Sequence, residues 1–207
     1  MLLPAVSLNV PEVITLGYML QAAAGESAVG LFIGFSVSLI FVGVQIAGMQ
    51  VGQQMGTGIA NVFNPMVQAQ ISLVSQFYFL FALLIYLGIG GHHMLFRALV
   101  TSFKTLPSGW PILSDASLSM VINLFGRLFM VAFAVSAPVV MVLFMTTVVL
   151  GFIARTVPQM NVLIIGFPVR VGVALVAMIL SLPTVGAFLA RTFMGMLHGI
   201  DFFVGGF

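Results

Sequence analysis

A chain of 207 residues that is 61% hydrophobic and only 5% charged cannot cover the surface of a soluble fold, since soluble domains carry about 25% charged residues. Its six basic residues are scattered and its formal net charge is only +2, so there is no basic stripe and no case for nucleic-acid binding. The lack of cysteine excludes disulfides, thiolate metal sites and cysteine nucleophiles.

The start, "MLLPAVSLNVPEVITL", has no basic n-region and carries Pro4, Pro11 and Glu12, so it does not read as a cleavable signal peptide. A short apolar stretch, Val13 to Ala24, precedes Gly25–Glu26. The first long block runs from Ala28 to Gly48. It is long enough to span a bilayer, and Gly30, Gly34, Ser38 and Gly43 give it small residues near helical spacing, which suits close helix packing. The connection that follows, Met49 to Gln70, is polar through Gln, Asn, Thr and Gly, yet no acidic or basic residue occurs between Glu26 and Arg97. Two readings stand: a re-entrant segment buried in protein or lining a wet cavity, or a short neutral loop in solvent.

The second block, Ile71 to Gly91, ends in a glycine tail that reads as a helix stop. His92 to Asp115 holds Arg97, Lys104, two prolines and the only tryptophan, as an interfacial helix followed by a polar turn would. The third block, Met120 to Thr147, contains Arg127 and Pro138 and is too long for a plain span of the roughly 30 Å hydrocarbon core, so a kinked helix or one lying partly outside the bilayer is expected. Asn123 stands one turn before Arg127 on the same face. The pair is either a buried polar stripe facing a subunit or channel, or an arginine that snorkels to the interface. The fourth block, Val162 to Ala190, is expected to break at Pro168, Arg170 and Pro183.

Between the last two blocks lies "GFIARTVPQMNVLIIGFPVR", Gly151 to Arg170. Pro158 ends the preceding helix, Gln159 and Asn161 supply donors and acceptors for freed backbone groups, and Arg155 suits the negative end of a helix dipole. Gly166 and Pro168 permit a second bend. This describes a helical hairpin with a polar tip, or else a routine loop joining two spans.

Little here supports catalysis. The four acids, Glu12, Glu26, Asp115 and Asp201, are far apart in sequence. Adjacent His92 and His93 diverge by about 100° on a helix and make a poor metal pair. No nucleophile elbow or nucleotide-binding loop is present. The 14 methionines can seal around a passing object or simply pack. No enzyme activity, no cofactor and no metal are expected. Interrupted helices with an intramembrane arginine would also suit a secondary transporter of a small solute.

Three stretches resemble a known family. "GFIARTVPQMNVLIIGFPVRVGVAL" is similar to the signature of the FliR/SctT family of type III secretion export-gate proteins, whose pattern G-x-x-x-R-x-x-P-Q-x-N-x-x-x-x-G-x-P falls on Gly151, Arg155, Pro158, Gln159, Asn161, Gly166 and Pro168. "GMQVGQQMGTGIANVFNP" resembles the family's glycine-rich run at Gly48, Gly52, Gln54, Met55, Gly56 and Pro65, and "GESAVGLFIGF" its entry to a following helix. The chain departs from the family at Asn64, where Asp is usual, and at Met49, where Glu is frequent. The family also usually begins with two further apolar helices, and this chain starts after them, so a single domain over residues 1–207 is expected without that pair.

The resemblance implies an all-α fold of helical hairpins and kinked helices packed in a hetero-oligomeric export-gate assembly of five FliP, four FliQ and one FliR-type chain. This chain would close the ring and gate unfolded export substrates. It would sit in the bacterial inner membrane within the flagellar basal body, meeting lipids, with the assembled complex partly on the periplasmic side. The glycine-rich segment, with Gly52, Gln54, Met55, Gly56, Gly58, Phe63, Asn64 and Pro65, would be the channel plug. The hairpin around Arg155 would face FlhB and FlhA, and Asn123 and Arg127 would meet a partner subunit. The flagellar form of the pattern fits better than the injectisome form.

Overall fold

The first helix, α1, runs unbroken from Leu16 to Met55. Gly25–Glu26 does not interrupt it. One glycine in a helix interior costs only about 1 kcal/mol, alanines flank it on the N-terminal side, and Glu26 lies open to the surroundings. The helix also absorbs the first seven residues of the expected Met49–Gln70 connection. The structure, a computed structural model, describes residues 16–56, 72–105, 115–156 and 162–205. Within these the chain forms α2 (Leu73–Gly88), α3 (Gly91–Thr105), α4 (Asp115–Thr156) and α5 (Val162–Gly205), with no strand among the described residues. The fold is all-α.

Three of the helices, over 23–55, 122–156 and 164–200, are long and apolar enough to cross a membrane. The glycine tail of the second block does end a helix. Gly90 takes a left-handed conformation (φ 71°), and α2 and α3 meet there at 65°. Gly91 then lies so close to the Tyr86 ring that an added Cβ would overlap it. The break expected in the fourth block is absent: α5 passes through Pro168 and Pro183 as one helix, as α4 passes through Pro138. All three prolines lie on exposed faces. Each ring removes one backbone hydrogen bond and crowds the carbonyl four residues back, a local cost that the packing of the rest of so long a helix outweighs.

Cross-helix contacts set the directions. Phe35 meets Phe125 (6.2 Å between ring centroids), a Cβ on Gly43 would press on Val131 and the Leu128 carbonyl, and Gln50 meets Ser136. Both helices therefore advance together, and α1 and α4 are parallel. Gly48 meets Ser75 while Phe41 meets Tyr86 (5.6 Å), so α2 runs back along α1. Phe41 and Tyr86 each also touch Phe193 (5.2 Å), and Gly186 faces Phe81, which lays α5 alongside α2 and opposite to α1 and α4. The core follows from spacing: Ile33, Val37, Ile40, Val44, Ala47 and Val51 recur every three or four residues on α1, and Leu128, Val131, Val135, Val139 and Leu143 answer them on α4.

At about 1.5 Å per residue the 42 residues of α4 reach about 63 Å, twice the thickness of a bilayer core. Past the Gln50–Ser136 contact, α4 continues for 20 residues (to 156) and α1 for only five (to 55). The α4–α5 hairpin thus overhangs α1 by about 22 Å. Beyond Leu143 on α4 and before Ala174 on α5, only Leu150 and Gly166 are buried among the described side chains.

The two kinds of glycine on α1 should behave differently. Replacing Gly48 with alanine is expected to lower the stability of the isolated chain by about 1–3 kcal/mol, because the new Cβ meets the Ser75 backbone (Cα, and N at 2.8 Å) rather than a yielding side chain. Gly34→Ala, with nothing within 4 Å, should be neutral or slightly stabilising. Thermal unfolding of both variants in detergent checks the contrast.

Candidate gating segment and hairpin motif

Gly48, Gly52 and Gly56 stand one helical turn apart, and each does a different job. Gly48 lets α2 touch the α1 backbone. At that crossing the Ser75 hydroxyl donates to the Gln45 carbonyl (2.8 Å), a bond between helices that turns a buried polar group into a fixed contact. Gly52 is buried on the same face. Gly56 ends α1: its φ is 89°, and its N–H reaches the Gln53 carbonyl at 3.0 Å. That is the left-handed cap which glycine adopts without a Cβ penalty. Between the glycines, Gln54 is exposed and Met55 is buried.

Gly52, Gln54 and Met55 are therefore parts of a helix end and not of a loop. The stretch that follows Gly56 carries Gly58, Phe63, Asn64 and Pro65, which lie outside the described residues. The chain is described again at Ser72, whose carbonyl accepts the Gln76 N–H (2.9 Å) as α2 begins. Both ends of residues 57–71 are thus held by one helix pair, α1 and α2, clamped at Gly48 and Ser75.

The hairpin residues divide in a similar way. Gly151 and Arg155 lie on exposed positions of α4, with Arg155 in the last turn, where a cation meets the negative end of the helix dipole. Pro158, Gln159 and Asn161 lie outside the described residues, in the five-residue connection 157–161. Gly166 and Pro168 belong to α5, Gly166 buried and Pro168 exposed, and the helix runs on through both. Packed helices joined by so short a connection form an αα-hairpin. Asn123 and Arg127 share one face of α4 as expected, but both are exposed on the chain's own surface rather than buried. The reason is register: the inward positions at that level belong to Leu124 and Leu128.

Several further contacts join the helices. The Ser136 hydroxyl donates to Gln50 Oε1 (3.1 Å), tying α4 to α1. Phe41, Phe79, Tyr86 and Phe193 form an aromatic nest that joins α1, α2 and α5. The first left a faint signal in the sequence, since Gln50 is a polar, half-buried residue next to the buried Val51 on an apolar helix. The nest had none, because 20 phenylalanines give no clue to which will meet. The His92 and His93 rings lie with centroids 4.0 Å apart, tilted by 41°, and among the described residues no three His, Cys, Asp or Glu groups gather as metal ligands.

Comparison with known proteins gives these features a context. Residues 1–196 match the family model described as bacterial export proteins, family 1. The chain is 37% identical over 171 residues to the flagellar biosynthetic protein FliR of Bacillus subtilis (strain 168), covering 81% of this chain and 66% of that protein. It is 29% identical over 185 residues to the FliR of Aquifex aeolicus (strain VF5), covering 89% and 71%. It is 26% identical over 165 residues to the secretion system apparatus protein SsaT of Salmonella typhimurium, covering 79% and 64%. The chain thus spans about two thirds of the length of these relatives.

The cap makes a direct prediction. Gly56→Ala should cost about 1–2 kcal/mol through its left-handed backbone, and Gly56→Asn distinctly less, since asparagine tolerates that conformation. Denaturant unfolding of the two variants, measured side by side, gives the ranking; equal losses would mean that backbone conformation is not the cause.

Proposed function

Because the chain belongs to the bacterial export proteins of family 1, we propose that it is a channel-forming subunit of a type III protein export gate, of the flagellar kind, in the bacterial inner membrane. In this reading it closes a ring of FliP and FliQ subunits, faces FlhB and FlhA with its hairpin end, and controls the passage of unfolded export substrates. The flagellar assignment draws on relatives named as flagellar biosynthetic proteins.

The observation that carries the reading is the clamp at Gly48 and Ser75. It holds together the end of α1 and the start of α2, the two helix ends that flank an uncharged 15-residue stretch, 57–71, in the sequence. A plug that must yield to many different sequences needs neutrality, which avoids selecting for charge, and firm anchors, which return it to one place. The long apolar surfaces agree with this. Phe129, Phe133, Met141, Phe144, Ile179 and Leu180 are exposed on α4 and α5, an area far beyond what a monomer in water leaves open. In the proposed assembly sister subunits and lipid divide that area between them. Asn123 and Arg127 lie on its border and would meet a partner subunit. The unbroken course of α5 takes away the interrupted helix on which a small-solute transporter would bind its substrate.

Two measurements test the proposal. Native mass spectrometry of the detergent-extracted complex, after co-expression with FliP and FliQ, should find one copy of this chain in a larger hetero-oligomer. A lone chain or simple homodimer would overturn the reading. Shortening the 57–71 stretch should raise ion leak through the resting complex while leaving its subunit composition intact; leak at the wild-type level would remove the plug from the account.

A further inference from the structure

Among the charged side chains that the structure describes, Glu26, Arg97, Arg127, Arg155 and Arg191 are all exposed, and Arg170 alone is not. Arg170 stands on the inward row of α5, between Gly166 and Ala174, with Met178 and Ser181 further along; these four neighbours on the row are buried. Its Nε is shielded from solvent and has no hydrogen-bond partner. A guanidinium N–H enclosed without an acceptor is costly, and a carboxylate is the acceptor that matches its charge and geometry.

The chain has none to offer there. No acid occurs between Asp115 and Asp201, although Arg127, Arg155, Arg170 and Arg191 all fall in that interval. Asp201 lies 31 residues further along α5, about 46 Å away. Glu26 and Asp115 belong to the same far end, because α1 and α4 run parallel and both begin there; Glu12 lies four residues before α1, outside the described residues. The other charge on the overhanging arm, Arg155, is a second cation.

We infer that Arg170 receives the carboxylate of an Asp or Glu on an otherwise apolar helix of a partner subunit, which packs along the overhanging arm of the hairpin. The inference rests on the multi-subunit reading above. The surface around Arg170 fits such a helix: Ile164, Phe167 and Val169 are exposed and apolar, and the arm carries no acid to repel a carboxylate. A lipid phosphate would more readily meet an outward-facing arginine in the headgroup layer than one on a packed row.

The test uses the full chain co-expressed with its partner subunits. Arg170→Glu should reduce recovery of this chain in the hetero-oligomer by roughly tenfold or more, and Arg170→Lys by no more than about threefold. Arg170→Met keeps the packing of the stem and separates loss of charge from loss of fold; it should melt like the wild type in isolation yet assemble poorly. Selection for restored assembly from Arg170→Glu should yield an acid-to-Lys or acid-to-Arg change in a partner. Wild-type recovery of Arg170→Met overturns the inference, as do suppressors confined to this chain. So does a result in which assembly persists and only a co-purifying anionic phospholipid is lost. If the wild-type chain itself is found alone, it is the assembly reading that fails.

Discussion

The approach of α2 to the backbone of α1 at Gly48 is the contact on which the rest of the architecture depends. Glycine there removes the side chain that would hold the helices apart, and Ser75 uses the space to bond the Gln45 carbonyl. In so apolar a chain the hydrophobic effect cannot fix the register of the helices, since one greasy face is much like another and lipid is as apolar as either. Close contacts between small residues, and hydrogen bonds with no competing water, do fix it. A third contact, at Gly43 against Leu128 and Val131, sets α4 by the same means. With α1 bound on two sides, the aromatic nest around Phe41 gives α5 its place.

From that register follows an asymmetry of length. α1 stops at a glycine cap while α4 and α5 continue, so among the described residues one end is a two-helix arm with little else to pack against. A pair of helices cannot bury all its apolar surface on itself. The uncovered faces require lipid or protein, and the arm is where charge and burial are least balanced. The helix ends that flank the uncharged stretch 57–71, Gly56 after α1 and Ser72 before α2, lie toward that same end. Structure and proposed function therefore meet at one place: the anchors of a neutral segment, and an arm made to be covered.

The membership in an export-protein family and the geometry support each other without being the same argument. The family match spans residues 1–196 and says nothing of why the glycines are needed. The structure supplies that reason for Gly48 by a backbone contact and for Gly56 by a left-handed φ. It also corrects the residue-level picture. Gly52, Gln54 and Met55 close a helix, and Gly166 and Pro168 continue one.

Composition and hydropathy by themselves determined the all-α class, the apolar surroundings, the stop at Gly88–Gly91 and the end of α4 before Pro158, because these depend on solvation and on local backbone chemistry. They could not decide that α5 would run through two prolines or that α1 would cross Gly25–Glu26. Local penalties of a few kcal/mol are outweighed when a long apolar helix has neighbours to pack against or open faces for its proline rings. Nor could they pick out Arg170 from five other basic residues. Its position on an inward row, with every described acid at the far end, depends on the directions of four helices. Those directions arise from contacts between residues far apart in the chain, which only the tertiary structure brings together.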